Sequence, residues 1–302
     1  MMKKHMMLLS ATAMLWMLST AVFAQSSILV EKNMETKKNG LLNVQVDSSD
    51  VSVSVWNKDR VMVTVRGLKK TEKVLDIAIT KTEEGVAVSV RKAEGKKLLG
   101  WGGVQFTSVE IVVPESYRIM MRTSGGDIKI NNVSGSMDID SGGGDIGLVG
   151  TAGELRAFSA GGDISISSNN GSIDLSSGGG DIRALMVTGS VKVTSDGGNI
   201  LLDSTGGSVS AYSASGDCSI SYRGENGGIE ARTTSGDLDL TTSASVQANL
   251  LAHTGSGMII MQYPDAEVSS KSFVSHEATL NGGGKEIRLR TESGNIEAGP
   301  AK

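Results

Sequence analysis

Ser124-Gly125-Gly126-Asp127-Ile128-Lys129-Ile130-Asn131-Asn132-Val133-Ser134-Gly135-Ser136-Met137-Asp138-Ile139-Asp140-Ser141 is followed at once by a second round of the same pattern, Gly142-Gly143-Gly144-Asp145-Ile146. Gly-Asp recurs as Gly162-Asp163, Gly180-Asp181 and Gly216-Asp217, Gly198-Asn199 fills the gap, and every step is 18 residues. A second unit lies nine residues out of phase, at Gly135-Ser136, Gly153-Glu154, Gly171-Ser172, Gly189-Ser190 and Gly207-Ser208. Two extra residues fall within 221–226, after which the pattern resumes at Gly227 and Gly236-Asp237.

Within each nine-residue unit, Gly-polar-apolar-x-apolar is followed by four turn residues. In the Asp half the first apolar column runs Ile128, Ile146, Ile164, Ile182, Ile200, Cys218, Leu238; in the Ser half it runs Met137, Leu155, Ile173, Val191, Val209, Ile229. Apolar residues two apart share one face of a strand, so each unit reads as a short strand with one buried face and a Gly/Ser turn. Such a strand cannot bury its apolar face alone, but stacked coils can. The period therefore predicts an all-β fold, a flattened parallel β-solenoid with two strands per 18-residue coil. About seven coils span 117–241 and make a rod on the order of 33 Å. The alternative is an antiparallel β-meander or sandwich. The outward column of the Ser half (Asp138, Arg156, Asp174, Lys192, Ser210, Glu230) separates the two, because its charges alternate in sign only if residues 18 apart are lateral neighbours. A hydroxyl column, Thr123, Ser141, Ser159, Ser177, Ser195, Ser213, Thr233, follows the same register.

Residues 1–24 carry Lys3 and Lys4, the apolar run Met6 to Leu18, and Val22-Phe23-Ala24. That is the pattern of a cleavable signal peptide, with cleavage expected after Ala24. Export places the remainder in a periplasm, on the outer surface or outside the cell, and no later segment reads as transmembrane. Residues 25–116 hold alternating runs such as Val51–Val55 and Val61–Val65, expected to form an N-terminal β section that caps the solenoid. Residues 117–302 read as the solenoid itself, with irregular coils over 242–283 and a renewed strand-turn-strand at 287–296. The 302 residues include 39 Gly and 40 Ser, but a hydrophobic share of 39% argues for a packed core rather than disorder. Residues 124–241 carry 6 basic and 15 acidic side chains, which argues against nucleic acid there, since phosphates require a basic surface.

Val113-Pro114, Arg122-Thr123-Ser124-Gly125-Gly126-Asp127-Ile128, the serial Ser-Gly-Asp turns, and the closing Gly282-Gly283-Gly284-Lys285-Glu286-Ile287-Arg288-Leu289 with Thr291 to Ile296 carry a resemblance. Nearly all of the mature chain resembles the bacterial β-strand repeat families known as "putative adhesins", the domains of unknown function numbered 4097 and, more distantly, 2807. The resemblance implies a right-handed β-helix-like structure and an envelope or surface location. Some relatives occur with cell-envelope stress systems, and the family offers no catalytic residues to carry over.

Few residues offer chemistry. Asp127, Asp145, Asp163 and Asp181 would stack one strand spacing apart, where like charges repel. One reading is a calcium ladder, as in nonapeptide β-rolls; the other is turn capping by backbone N–H groups, with the charge in water. Here Asp directly precedes Ile and only in alternate units, and Asn199 replaces one member, which favours capping. Gly142 to Gly147 fits a dinucleotide-binding pattern, but no helix follows it. Cys218 sits in an Ile column and reads as core. His253 and His276 are isolated, and Phe158 and Tyr212 share a column three coils apart. No cofactor is implied. Lys96, Lys97, Leu98, Leu99 and Trp101 form the one non-repeat segment of interest. That segment is either a loop touching lipid or a partner, or apolar residues packed on the solenoid end. Three functions follow: a non-enzymatic, adhesin-like interaction module binding a protein, glycan or envelope component; an envelope-stress or regulatory scaffold contacting a membrane partner; and a glycan-active β-helix enzyme.

Overall fold

The structure, a computed structural model, describes residues 27–95 and 107–301. Its strands begin with β1 (Ser27–Glu35), β2 (Leu41–Val46), β3 (Asp50–Trp56), β4 (Arg60–Gly67), β5 (Leu75–Lys81), β6 (Gly85–Lys92), β7 (Ser108–Pro114), β8 (Arg118–Thr123) and β9 (Ile128–Asn131). Strands β10 to β19 follow in pairs, one pair per coil, from Met137 to Tyr222. The rest are β20 (Ile229–Ser235), β21 (Leu238–Thr242), β22 (Ala248–Thr254), β23 (Ile259–Met261), β24 (Glu267–Lys271), β25 (Ser275–Leu280), β26 (Glu286–Ser293) and β27 (Ile296–Pro300). The one helical turn among the described residues is the three-residue Glu72–Val74.

These strands form two sheets, of 13 and 14 strands, and each coil contributes one strand to each sheet. Pairing in the repeat is parallel with an 18-residue register: Ile146 opposes Ile164, which opposes Ile182, which opposes Ile200. On the other sheet Met137, Leu155, Ile173, Val191 and Val209 align in the same way. The two-residue insertion appears as a 20-residue step, Val209 opposing Ile229 and Cys218 opposing Leu238. The parallel solenoid expected from the period is what forms, and the antiparallel meander is not: among the described residues, antiparallel pairs occur only at the two ends, where β1, β4 and β7 adjoin, β5 meets β6, and β25 lies between β22 and β24.

Alternating burial follows from the pleat. Inward residues of the repeat, including Ile128, Ile164, Leu155 and Leu175, are at most 3% exposed, and one continuous core runs the length of the stack. A left-handed residue recurs once per coil at one corner, at Asn132, Gly150, Ser168 and Met186, with φ of 60°, 66°, 66° and 54°. That conformation lets the chain bend sharply between sheets, at a steric cost for Met186 and Ser168 that glycine avoids.

Chain order and stack order differ at both ends. The sheets place the β2–β3 coil between the β6–β7 coil and the β8–β9 coil. At the far end the β26–β27 coil lies between the β20–β21 and β22–β23 coils. The strands at 41–56 and the strands β6 and β7 are thus regular coils of the stack, and the capping is done by antiparallel β1, β4 and β5. The 242–283 stretch, expected as longer coils, supplies one ordinary coil and the β24–β25 hairpin that covers one sheet edge.

Candidate interaction surfaces

The Asp column lies along one edge of the rod, and its carboxylates are committed to the backbone of the next coil. Asp127 Oδ1 accepts the Asp145 N–H (3.1 Å), Asp145 that of Asp163 (2.9 Å), and Asp163 that of Asp181 (2.8 Å). The relay continues through Asp181, Asn199, Asp217, Asp237 and Asn295 and ends on the Met258 N–H. It starts at Asp50, which accepts from Asp127. Local turn capping was the expected role; the observed bond runs instead from each coil to its neighbour. Asn199 and Asn295 serve because the position needs only a side-chain oxygen acceptor, which the Asn amide offers as the Asp carboxylate does. No group of three or more His, Cys, Asp or Glu among the described residues is arranged to hold a metal ion.

The hydroxyl column is a second, buried relay. Ser177 Oγ donates to the Gly162 carbonyl of the preceding coil (3.1 Å) and accepts the Gly180 N–H of its own turn (2.9 Å). Ser159 and Ser195 do the same, and Ser213, Thr233, Thr291 and Thr254 make the inter-coil bond. The Gly before each Asp is required by close backbone approach: a Cβ on Gly144 would overlap the Gly126 carbonyl, and one on Gly162 the Gly144 carbonyl. The Gly-rich turns at 142–147 are therefore packing devices within a β-coil.

Side chains facing outward are free to meet other molecules. Asp138, Arg156, Asp174, Lys192, Ser210 and Glu230 are successive ladder neighbours. Lys192 bonds Asp174 at 3.0 Å, whereas Arg156 turns to Glu154 at 3.1 Å. Both pairs are exposed and worth about 0–1 kcal/mol. Phe158 and Tyr212 lie on the same face, separated by Ser176 and Thr194, and Arg232 sits 5.9 Å from the Tyr212 ring. On the opposite face Gly147, Ser165, Arg183, Leu201, Ser219, Asp239 and Glu297 form one row. Burial and the adjacent Glu297 raise the Asp239 carboxyl above its ordinary range.

The remaining candidates separate. Cys218 is buried, and burial pushes its thiol up to about 12, so it is a core residue with little thiolate character. His253 is exposed; His276 is buried on β25, where burial and Lys271 lower its affinity for a proton. Lys96, Lys97, Leu98, Leu99 and Trp101 lie outside the described residues.

Two features escaped the sequence. The insertion at 221–226 opens a polar cleft of about 580 Å³ edged by Arg223, Glu225, Asn226, Gln247 and Lys285. There the Asn226 amide donates to the Gln247 and Lys285 carbonyls (3.0 and 2.6 Å), tying the bulge to the displaced coils. At the β23 end, an apolar groove of about 410 Å³ is lined by Met258, Ile259, Ile260, Phe273, Lys271 and His276. The excess of Met and Ile at 258–261 over a Gly/Ser background was its only visible signal.

The family model described as Toastrack DUF4097 matches residues 41–298. Among solved structures, a "putative adhesin" from Bacteroides fragilis NCTC 9343 superposes with a TM-score of 0.52 at 17% identity, covering 70% of this chain and 96% of that one. A "putative lipid binding protein" from Parabacteroides distasonis ATCC 8503 gives 0.46 at 11% identity, with 90% and 96% covered. A "putative adhesin" from the same organism gives 0.34 at 14%, with 71% and 94% covered. The first supports a shared fold. No curated protein matches the chain.

Proposed function

The chain belongs to the Toastrack DUF4097 family, and from that premise we propose that it is an exported, non-enzymatic interaction module of the cell envelope, adhesin-like in presenting flat sheet faces rather than a reaction centre. One observation carries this reading: the side chains with chemical potential, the Asp and Ser columns, are engaged as struts between coils. The outward rows carry single charges, small hydroxyls and isolated aromatics, suited to broad, shallow contact. Binding by such faces gains from area rather than from a deep pocket. The signal sequence at 1–24 supports passage across the inner membrane, and the acidic middle supports a partner other than nucleic acid.

Expression of the full chain in a Gram-negative host tests both parts. The expected result is a product processed after Ala24 in the periplasm or medium, which binds isolated envelope fractions saturably without altering them. An unprocessed cytoplasmic product overturns the export reading. Release of soluble fragments from envelope polysaccharide overturns the non-enzymatic one.

A further inference from the structure

The β24–β25 hairpin at the C-terminal end of the rod carries the one buried side chain that gains a positive charge in acid. Among the described residues no Lys, Arg, Asp or Glu is buried, and the other buried polar side chains are hydroxyls, the Asn169 amide and the Cys218 thiol. His276 is 6% exposed, and its setting follows from the register. One inward column of the stack runs Val193, Ala211, Ala231, Leu289, Ala252, each the lateral neighbour of the last and each buried. The next position, on β25, is His276 opposite Ala252, and the next, on β24, is Lys271 opposite His276. Both border the apolar groove beside Met258, Ile259 and Ile260. An apolar column thus ends in two nitrogen bases side by side.

We propose that the β24–β25 hairpin is an acid-released cap: a proton taken up by His276 lifts its tip from the rod and bares the edge of β22. The hairpin's hold on the rod is slight. β24 is exposed along its whole length and pairs only with β25. β25 turns three residues inward, His276, Ala278 and Leu280, and in the half nearest the turn the inward residue is His276.

A neutral imidazole fits this position and a charged one does not. Protonation puts a cation where there is little water to solvate it, directly across from the Lys271 ammonium, and like charges opposed on neighbouring strands repel. The elements packed against the ring supply no carboxylate to offset this. β24 presents Lys271, and β22 presents Ala252 while its His253 is exposed on the outer face. β26 presents Leu289 with Arg288 and Arg290 outward, Met258 to Met261 on the β23 side include no titratable group, and Glu277 of β25 itself is exposed on the outer face. Burial foremost and Lys271 next lower the ring's proton affinity, and a hydrogen bond with the Ser272 backbone opposes them only in part. The folded ring therefore titrates below the ordinary imidazole value of about 6.5. The hairpin is held in full above that value and loosens as pH falls through it toward the lowered one. Once the tip lifts, the N–H and C=O groups of β22 that paired with β25 stand open, as on any unpaired sheet edge.

Hydrogen exchange of the purified chain between about pH 7.5 and 5, corrected for the pH dependence of intrinsic exchange, tests this. The expected result is a loss of protection of at least about fivefold over Glu267–Leu280 in acid, with Ile164–Ser177 in the middle of the rod unchanged. His276→Leu should keep the hairpin protected at the acid end. Lys271→Met should lessen the loss, and His253→Gln, at an exposed imidazole, should leave it as in the parent. Should His276→Leu fail to fold, NMR titration of the His276 ring in the parent decides instead: the ring should titrate below the ordinary imidazole value and in step with the loss of protection. A hairpin that stays protected in acid overturns the proposal, as does an equal loss in His276→Leu, a loss shared by the whole rod, or a ring that titrates at or above its ordinary value.

Discussion

At the scale of single residues, the same position does the same job in coil after coil, and that repetition makes individual roles testable. Ser177→Ala leaves the Gly162 carbonyl and the Gly180 N–H without their shared hydroxyl inside the rod, and should cost about 1–3 kcal/mol in chemical denaturation. Ser177→Thr should cost far less, because Thr233 and Thr291 make the equivalent bond. In the Asp column, Asp163→Asn should keep the denaturation midpoint of the parent and Asp163→Ala should lower it, since only the amide retains an acceptor for the Asp181 N–H. Because the carboxylates act as acceptors for backbone, melts with calcium and with chelator should coincide; a large calcium-dependent rise would contradict that role. The sequence disclosed which residues formed these columns. It did not disclose the direction of their bonds, because an Asp that caps its own turn and one that reaches to the next coil have the same neighbours in sequence.

At the scale of strands and coils, lateral pairing decides which charges meet. Asp239 and Glu297 are ladder neighbours although 58 residues apart, and no period links them. The folded state raises the Asp239 carboxyl above its ordinary value, so the folded chain binds a proton there more readily than the unfolded one. Folding stability from this site is therefore fullest at low pH and declines as pH rises from the ordinary carboxylate value near 4 through the raised one. Asp239→Asn should accordingly raise the melting temperature at neutral pH, with the gain fading toward pH 4; thermal melts across that range check the sign.

The terminal coils are the other feature of this scale. The repeat of strand, turn and strand at 287–296 was visible, yet its place between 229–242 and 248–261 was not. Any of these units fits beside any other, since all share one apolar column, and only three-dimensional routing selects the order. Deleting residues 285–302 should therefore disrupt more than the end: it removes a coil from within the stack. Hydrogen exchange should show lost protection across both 229–242 and 248–261, whereas a change confined to 248–261 would contradict the interleaved order.

At the scale of the whole molecule, the parallel stack follows from one arithmetic fact, the 18-residue spacing of Gly-Asp, joined to the need to bury one face of every strand. The ends were less legible because capping obeys no period: it depends on which edges remain after the coils are stacked. The same limit hid the apolar groove, whose Met258, Ile260 and Phe273 come from two separate segments. The stack requires residues one coil apart to be side-by-side neighbours. Spin labels can measure that on the purified chain, since Cys218 is buried with its thiol raised to about 12 and leaves introduced cysteines as the reactive sites. Labels at Ser165 and Arg183, which are 18 residues apart and paired in the ladder, should show strong dipolar broadening. Labels at Ser165 and Asp174, nine residues apart on opposite faces, should show none. Broadening in the second pair and not in the first would contradict the stacked parallel coil.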